Sequence, residues 1–385
     1  MDLNASYSNA TCHPAVLNYR YFGALLGILV TAVGTTGNVM TLLAFATERK
    51  IRTRFNLLIL NLTVADLLYC GFLQPVTVDT FIHFTWRQSH AMCQVFGLLL
   101  FVANAVSIFS LVLIAMSRYI LISDPQRFDR VYSRYTMPFF LALPWALGLA
   151  LFGPLWRIYV FLPAVCTCSF HRSWGRPYTT ILMFCMFGLG LSCIGVFYFL
   201  INRKVREAAR ALEEYRLTHE GGKKKKNRRK SKGLEISVND SGIAADGSSI
   251  SQAGDERPQA TESTDVEGEP ASGQRPAPGA GESAGACYQA RKRSNSEFRK
   301  VTRMCFAMFV VYVTCYFPFC MLHVADGRKR APILLHMVAG NFTWLNSCVN
   351  PILYAVLNRQ FNEAYRGVLR KGARLFTRSA CLGGQ

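Results

Sequence analysis

Charged residues along this chain gather in short clusters and leave between them seven long apolar stretches: Phe22 to Ala46, Phe55 to Val78, Val95 to Met116, Thr136 to Trp156, Tyr178 to Ile201, Met304 to Ala325 and Ala331 to Leu357. Helices of soluble proteins keep a polar face at 3.6-residue spacing, which these stretches lack. Each is long enough, at about 1.5 Å per residue, to cross a hydrocarbon layer roughly 30 Å thick. The pattern predicts an all-α membrane protein, a bundle of seven transmembrane helices. Beyond the last of them, Asn358 to Lys371 sets Phe361, Tyr365 and Leu369 at four-residue spacing among Arg359, Arg366 and Arg370. That is the pattern of a short amphipathic cytosolic eighth helix lying along the inner leaflet.

Charge gives the orientation. Arg49, Lys50, Arg52 and Arg54 follow the first stretch directly, and the positive-inside rule puts them in the cytosol. The chain then divides into an extracellular tail (1–20), helices one to five (21–206), a long third cytosolic loop (207–296), helices six and seven (297–357), and the eighth helix with the C-terminal tail (358–385). The first apolar stretch is too long for a cleaved leader and reads as a signal anchor. Asn4-Ala5-Ser6 and Asn9-Ala10-Thr11 are glycosylation sequons on the outer tail, whereas Asn61-Leu62-Thr63 and Asn341-Phe342-Thr343 fall in the bilayer and should be silent.

The 385 residues are 51% hydrophobic and 17% charged, with a net charge of +20. Much of that excess is one run in the third cytosolic loop, Lys223 to Lys226 with Arg228, Arg229, Lys230 and Lys232. It reads as a solvated segment drawn to anionic lipid, and no nucleic-acid partner is implied because no accompanying fold is present. The Gly/Ser/Pro/Glu-rich stretch after it, to about Ala286, cannot bury a core and should be disordered. Ser294 and Ser296 follow a basic triplet, a short phosphorylation pattern.

Of 13 cysteines, seven lie in the apolar stretches and read as packing residues, and Cys287 and Cys381 are cytosolic. Cys12, Cys93, Cys166 and Cys168 remain on the oxidising face, an even number that permits two bridges.

Asp66 lies about 16 Å into the second helix, near the bilayer middle, where a carboxylate needs a polar cavity or a cation. Asn38, Ser107, Asn346 and Asn350 are the oxygen donors able to gather round it. Cys93 and Arg118 are separated by about 37 Å of helix, so one marks the outer rim where the other reaches the cytosol. Asn350-Pro351-Ile352-Leu353-Tyr354 and Cys315-Tyr316-Phe317-Pro318 each combine polar groups with a helix breaker. A secondary transporter would show paired repeats with broken helices, a retinal protein a lysine in the seventh helix, and an intramembrane hydrolase a nucleophile beside a base. None of these patterns is found in the sequence.

Gly37-Asn38-Val39, Asn61 to Asp66, Cys93, Ser117-Arg118-Tyr119, Trp145, the second-loop cysteine, Cys315 to Pro318 and Asn350 to Tyr354 occur in an order that resembles the rhodopsin-like G-protein-coupled receptors. The resemblance implies a plasma-membrane receptor, not an enzyme, with a heterotrimeric G protein, arrestin and receptor kinases as partners. It also implies a sodium site at Asp66, Ser107, Asn346 and Asn350, and a rearrangement of Arg118, Tyr198 and Tyr354 when the G protein engages. It pairs Cys93 with Cys168, which leaves Cys12 with Cys166. Three departures stand out: Ser117 replaces the usual acid before Arg118, Tyr316 replaces the usual Trp, and helix five has no proline near Gly190.

Within that family, Arg52 to Leu58, Cys166 to Phe170, Gly175 to Leu182 and Phe342 to Asn346 look like receptors for medium-chain fatty acids, hydroxylated ones included, that act through inhibitory G proteins in inflammation. Leu100 stands where amine receptors of the family carry an acid, so a small anionic lipid is the better agonist. The outer face is basic, with Arg20, Arg87, Arg157, Arg172 and Arg176 among its cations, which draws anions. Nucleotides and acidic peptides would also suit such a face. Arg172 is the leading carboxylate partner, since a loop tied down at Cys168 would hold it over the bundle mouth. Leu100, Phe101, Phe170, Phe184, Phe187, Tyr316, Phe319 and Trp344 should line an apolar slot beneath it, with Asn104 available for a hydroxyl.

Overall fold

The computed structural model describes residues 10–238, 280–326 and 331–382. The chain divides into two compact units, Met1–Arg206 with Ser296–Gln385, and Glu207–Asn295. Asn4 and Asn9 lie outside the described residues.

Among the described residues, six helices are long and apolar enough to cross a membrane: Arg20–Thr47, Arg54–His83, His90–Ser123, Met137–Ile158, Tyr178–Ala211 and Arg299–Ala325. The seventh crossing is made in two pieces, Ile333–Phe342 and Trp344–Leu357. Alone they would reach about 15 and 21 Å, too little for the hydrocarbon layer, and end to end they reach enough. The break falls at Thr343, whose Oγ1 donates to the Gly340 carbonyl at 2.7 Å. Such a local bond competes with the helical ladder, so the uniform apolar stretch at 331–357 is not one continuous helix.

The third span is the axis of the bundle, with 67% of its apolar window buried against 22% for the fourth. Directional bonds lock its neighbours: the Trp145 indole donates to Asn61 Oδ1 at 3.0 Å, joining the fourth span to the second. A side chain at Gly37 would meet the Pro351 ring at 2.8 Å, so a residue without one is required where the first and seventh spans touch. The second span is interrupted by a π-helical turn, Tyr69–Leu73, just before Gln74 and Pro75. Proline has no N–H to offer the ladder, and a widened turn absorbs the mismatch while rotating everything beyond it.

Two short strands depart from the all-α expectation. β1 (Tyr159–Leu162) and β2 (Thr167–Phe170) pair antiparallel, with Tyr159 opposite Phe170 and Phe161 opposite Cys168. Alternation drives them: Tyr159, Phe161, Cys168 and Phe170 point inward and are buried. A side chain at Gly97 would strike the Tyr159 ring at 2.6 Å, so the hairpin packs directly on the third span.

The eighth helix runs over Arg359–Leu382, longer than the segment expected from periodicity. Phe361 is fully buried against Phe45, and Thr41 Oγ1 lies 2.7 Å from the Tyr365 hydroxyl. Burial pushes the Tyr365 phenol up to about 12, opposed by its bond to Thr41. Leu369 is exposed, so the third member of the expected stripe turns away from the protein. Cys185, taken as a packing residue, is exposed as well.

In the unit Glu207–Asn295 the basic run lies on the continuing helix Tyr178–Val238, not in irregular chain. Residues 239–279, the bulk of the Gly/Ser/Pro-rich stretch, lie outside the described residues. The chain is helical from Ala280 onward, so the disorder expected as far as Ala286 does not hold for residues 280–286.

Candidate functional site

The outer rim is assembled by sulfur and backbone bonds. Cys93, in the first turn of the third span, is bridged to Cys168 on β2, and Cys12 is bridged to Cys166, with Cα separations of 5.4 and 5.1 Å. Cys166 adopts φ 51°, a left-handed conformation just before β2. The tail is stitched on both sides: Cys12 N donates to Phe84 O at 3.0 Å, Trp86 N to Ala10 O at 3.0 Å, and His13 N to Pro163 O at 2.9 Å. Arg172 opens the turn Arg172–Gly175 immediately after β2, and its side chain lies outside the described residues.

Beneath the hairpin lie two adjoining cavities. The outer one, about 370 Å³, is lined by the hairpin turn, Phe170 and His171 on one side and Asp326, Ala331 and Ile333 on the other. The inner one, about 100 Å³, reaches Leu100, Phe101, Asn104, Tyr316, Phe319 and Trp344, all anticipated from sequence. A third space of about 40 Å³ touches Phe187 and Tyr312. The described structure thus brings six of the anticipated residues to one cleft and places Phe170 in the outer vestibule.

Two expectations need correction. Phe184 is 64% exposed on the outside of the fifth span and lines none of these cavities. Asn104 is not idle, because its Oδ1 accepts the Tyr316 hydroxyl at 2.7 Å; a ligand hydroxyl there must displace or join that bond. Other lining residues were not singled out beforehand. Tyr69, which begins the π-helical turn, and Gln74 and Thr77 beyond it reach the inner cavity, and no periodicity count contains the rotation of that turn. Asn341 lines it too and donates to the Tyr19 hydroxyl at 2.9 Å; burial raises the Tyr19 phenol above its usual value, opposed by that bond. His323 and His336 were legible only as polar residues in otherwise apolar stretches.

Deeper in the bundle Asp66 is fully buried, and its Oδ2 accepts from Asn350 Nδ2 at 2.7 Å. Asn38 Nδ2 donates to Gly34 O and Ser347 O at 2.9 and 3.1 Å. Asp66 Oδ1 and Asn38 Oδ1 are left without hydrogen-bond partners, as is Asn346 Nδ2. Ser107 is buried on the third span. Orphaned acceptor oxygens beside a carboxylate suit a small hard cation.

At the cytosolic end Ser117 turns its hydroxyl to the Ile114 carbonyl at 2.9 Å, so it does not stand in for the missing acid. Arg118 lies instead with its guanidinium carbon 3.2 Å from the centroid of the Phe55 ring, a cation–π contact from the second span. Tyr198 and Cys305 also neighbour it. An aromatic face thus lies against Arg118 where the usual acid is absent. Tyr354 is fully buried against Phe361, and its hydroxyl lacks a hydrogen-bond partner.

A family model of seven-transmembrane receptors of the rhodopsin family matches residues 37–354. The chain belongs to that family, whose members are multi-pass plasma-membrane receptors that signal to G proteins. It is similar to G-protein coupled receptor 84 of Mus musculus, with 47% identity over 97% of this chain and 99% of the relative. The Homo sapiens protein of the same name is 46% identical over the same shares. G-protein coupled receptor moody of Drosophila pseudoobscura pseudoobscura is 26% identical over 90% of this chain and 52% of its own length.

Proposed function

We propose that this receptor, its N-terminal tail outside the cell and glycosylated at Asn4 and Asn9, responds to medium-chain fatty acids, hydroxylated ones included. The observation that carries the reading is the pair of adjoining cavities, apolar along Leu100, Phe101, Phe319 and Trp344, beneath a hairpin clamped at Cys168 whose next turn carries Arg172. A chain of modest length fits the apolar part, and a loop guanidinium is suited to grip its carboxylate through two bonds. The G protein is assigned to the inhibitory class, with arrestin and receptor kinases following, on the family resemblance alone. Sodium would be held at Asp66 with Ser107, Asn346 and Asn350, where the orphaned Asp66 oxygen supports the assignment. Bound there it would supply a positive charge that offsets the carboxylate's desolvation.

The test is a G-protein activation screen in cells with fatty acids of graded length beside nucleotides and acidic peptides. Arg172→Ala should lower the potency of the acids about a hundredfold, because a buried charge left without its partner costs several kcal/mol, and Arg172→Lys should restore part of it. A preference for nucleotides or acidic peptides would replace this reading. An unchanged response of Arg172→Ala to acids would remove Arg172 from the site.

A further inference from the structure

Cys305 reads in the sequence as a packing residue of the sixth apolar stretch. Its surroundings in the fold are more specific than that. It lies towards the cytosolic end of the sixth span and is 1% exposed. Its thiol stands beside both the Arg118 guanidinium of the third span and the Tyr198 hydroxyl of the fifth. Ring contacts hold the three spans together at this level. Tyr198 packs edge-on against Phe306, at 5.8 Å, and stacks with Phe309, at 6.1 Å, which joins the fifth span to the sixth. Tyr119, next to Arg118, lies 6.0 Å from Phe197, next to Tyr198, which joins the third to the fifth.

A guanidinium carries several N–H donors in its own plane and no acceptor. The Phe55 ring offers Arg118 a face and no lone pair, and the Ser117 hydroxyl is turned to the Ile114 carbonyl. Arg118 Nε has no hydrogen-bond partner. The Cys305 sulfur is thus the acceptor that stands against this group, weak for a neutral donor and better for a charged one. We propose that Cys305 is a positioning residue for Arg118. Its sulfur, shared between the Arg118 guanidinium and the Tyr198 hydroxyl, ties the third, fifth and sixth spans in the arrangement seen here and opposes the one that engages a G protein. The inference rests on the reading that Arg118 and Tyr198 rearrange when the G protein binds. Phe55 and Cys305 then act on one group without competing, because the ring supports its face and the sulfur receives its N–H groups.

The experiment measures ligand-free G-protein activation in cells by full-length receptor variants at matched surface expression. Cys305→Ala removes the acceptor and leaves buried donors unpaired, so signalling should rise roughly fivefold, a gain that misfolding cannot imitate. Cys305→Ser restores a polar atom at that place and should bring the level back to within about twofold of the wild type. A cysteine that only fills space is replaced better by alanine than by a buried hydroxyl, so packing alone predicts the opposite order. A wild-type level in Cys305→Ala, or equal rises in the two variants, overturns the assignment. Arg118→Ala keeps the underlying reading apart. If that variant signals at the wild-type level, Arg118 takes no part in switching and the inference falls with the reading; if it departs from that level while Cys305→Ala does not, only the role of Cys305 is lost.

Discussion

The two ends of the bundle are held by different physics. At the outer end two disulfides, a paired hairpin and a backbone-stitched tail fix the course of the chain. At the inner end Arg118 rests on an aromatic face, and its Nε and the buried Tyr354 hydroxyl have no hydrogen-bond partner. Buried polar atoms left unpaired are costly, so a second arrangement that pairs them competes with the one observed. A covalently pinned rim has no comparable alternative. The difference sets a test of where switching resides: if it follows the contrast, the outer end should keep its geometry while the inner end rearranges.

The sharpest way to break this contrast is at the sulfurs. Removing a native disulfide costs about 2–5 kcal/mol, much of the stability of a small fold. Cys93→Ser should therefore abolish most cell-surface receptor, as read by an antibody against an extracellular tag. Cys12→Ser releases only the tail strap, so surface expression should fall modestly while agonist dissociation speeds up several-fold. Equal losses of surface receptor in the two variants would mean that the strap is as structural as the hairpin clamp.

A smaller effect should follow from the inner end. A cation–π contact out of water is worth about 2 kcal/mol, enough to move a two-state equilibrium by roughly thirtyfold. Phe55→Leu keeps the apolar volume and removes the aromatic face, so ligand-free signalling should rise several-fold at matched surface expression. Ser117→Asp in the same background supplies the absent acid and should bring signalling back down. Unchanged basal activity in Phe55→Leu would mean that Arg118 is restrained by something other than the ring beneath it.

How far these features were legible in the sequence depends on whether they are local. Asp66 and Asn350 stand out as polar residues in apolar helices and do meet, and Leu100, Phe101, Asn104, Tyr316, Phe319 and Trp344 do share a cleft. Phe184 failed because an aromatic in an apolar span looks the same whether it faces lipid or cavity, and only packing distinguishes the two. Gln74 and Thr77 were hidden by the π-helical turn, which shifts the phase of the second span without altering its composition. The hairpin strands are four residues each, too short for alternation to stand out. The Phe55 contact joins positions far apart in sequence, and nothing near Ser117 announces it.

The smallest expected effect concerns the tether between the eighth helix and the first cytosolic loop. Lys371 Nζ lies 2.7 Å from Glu48 Oε1, and that hydrogen bond together with the lysine's charge holds the Glu48 carboxyl below its usual value. A carboxylate with a lowered value contributes its stabilisation above the unfolded value and loses it as pH falls through the folded one, so the tether is complete at neutral pH and released only by strong acid. The pair is substantially exposed, and exposed pairs contribute little. Phe361 against Phe45 and Tyr365 against Thr41 should carry the docking instead. Lys371→Ala should accordingly leave the distance between spin labels on the eighth helix and the first cytosolic loop unchanged at neutral pH. Any loosening of the native helix by strong acid that comes from this pair should be absent from the variant, because the pair is already gone. Detachment of the helix at neutral pH in this variant would show that the inner end too depends on a directional pair, and the contrast between the two ends would then fail where it is easiest to measure.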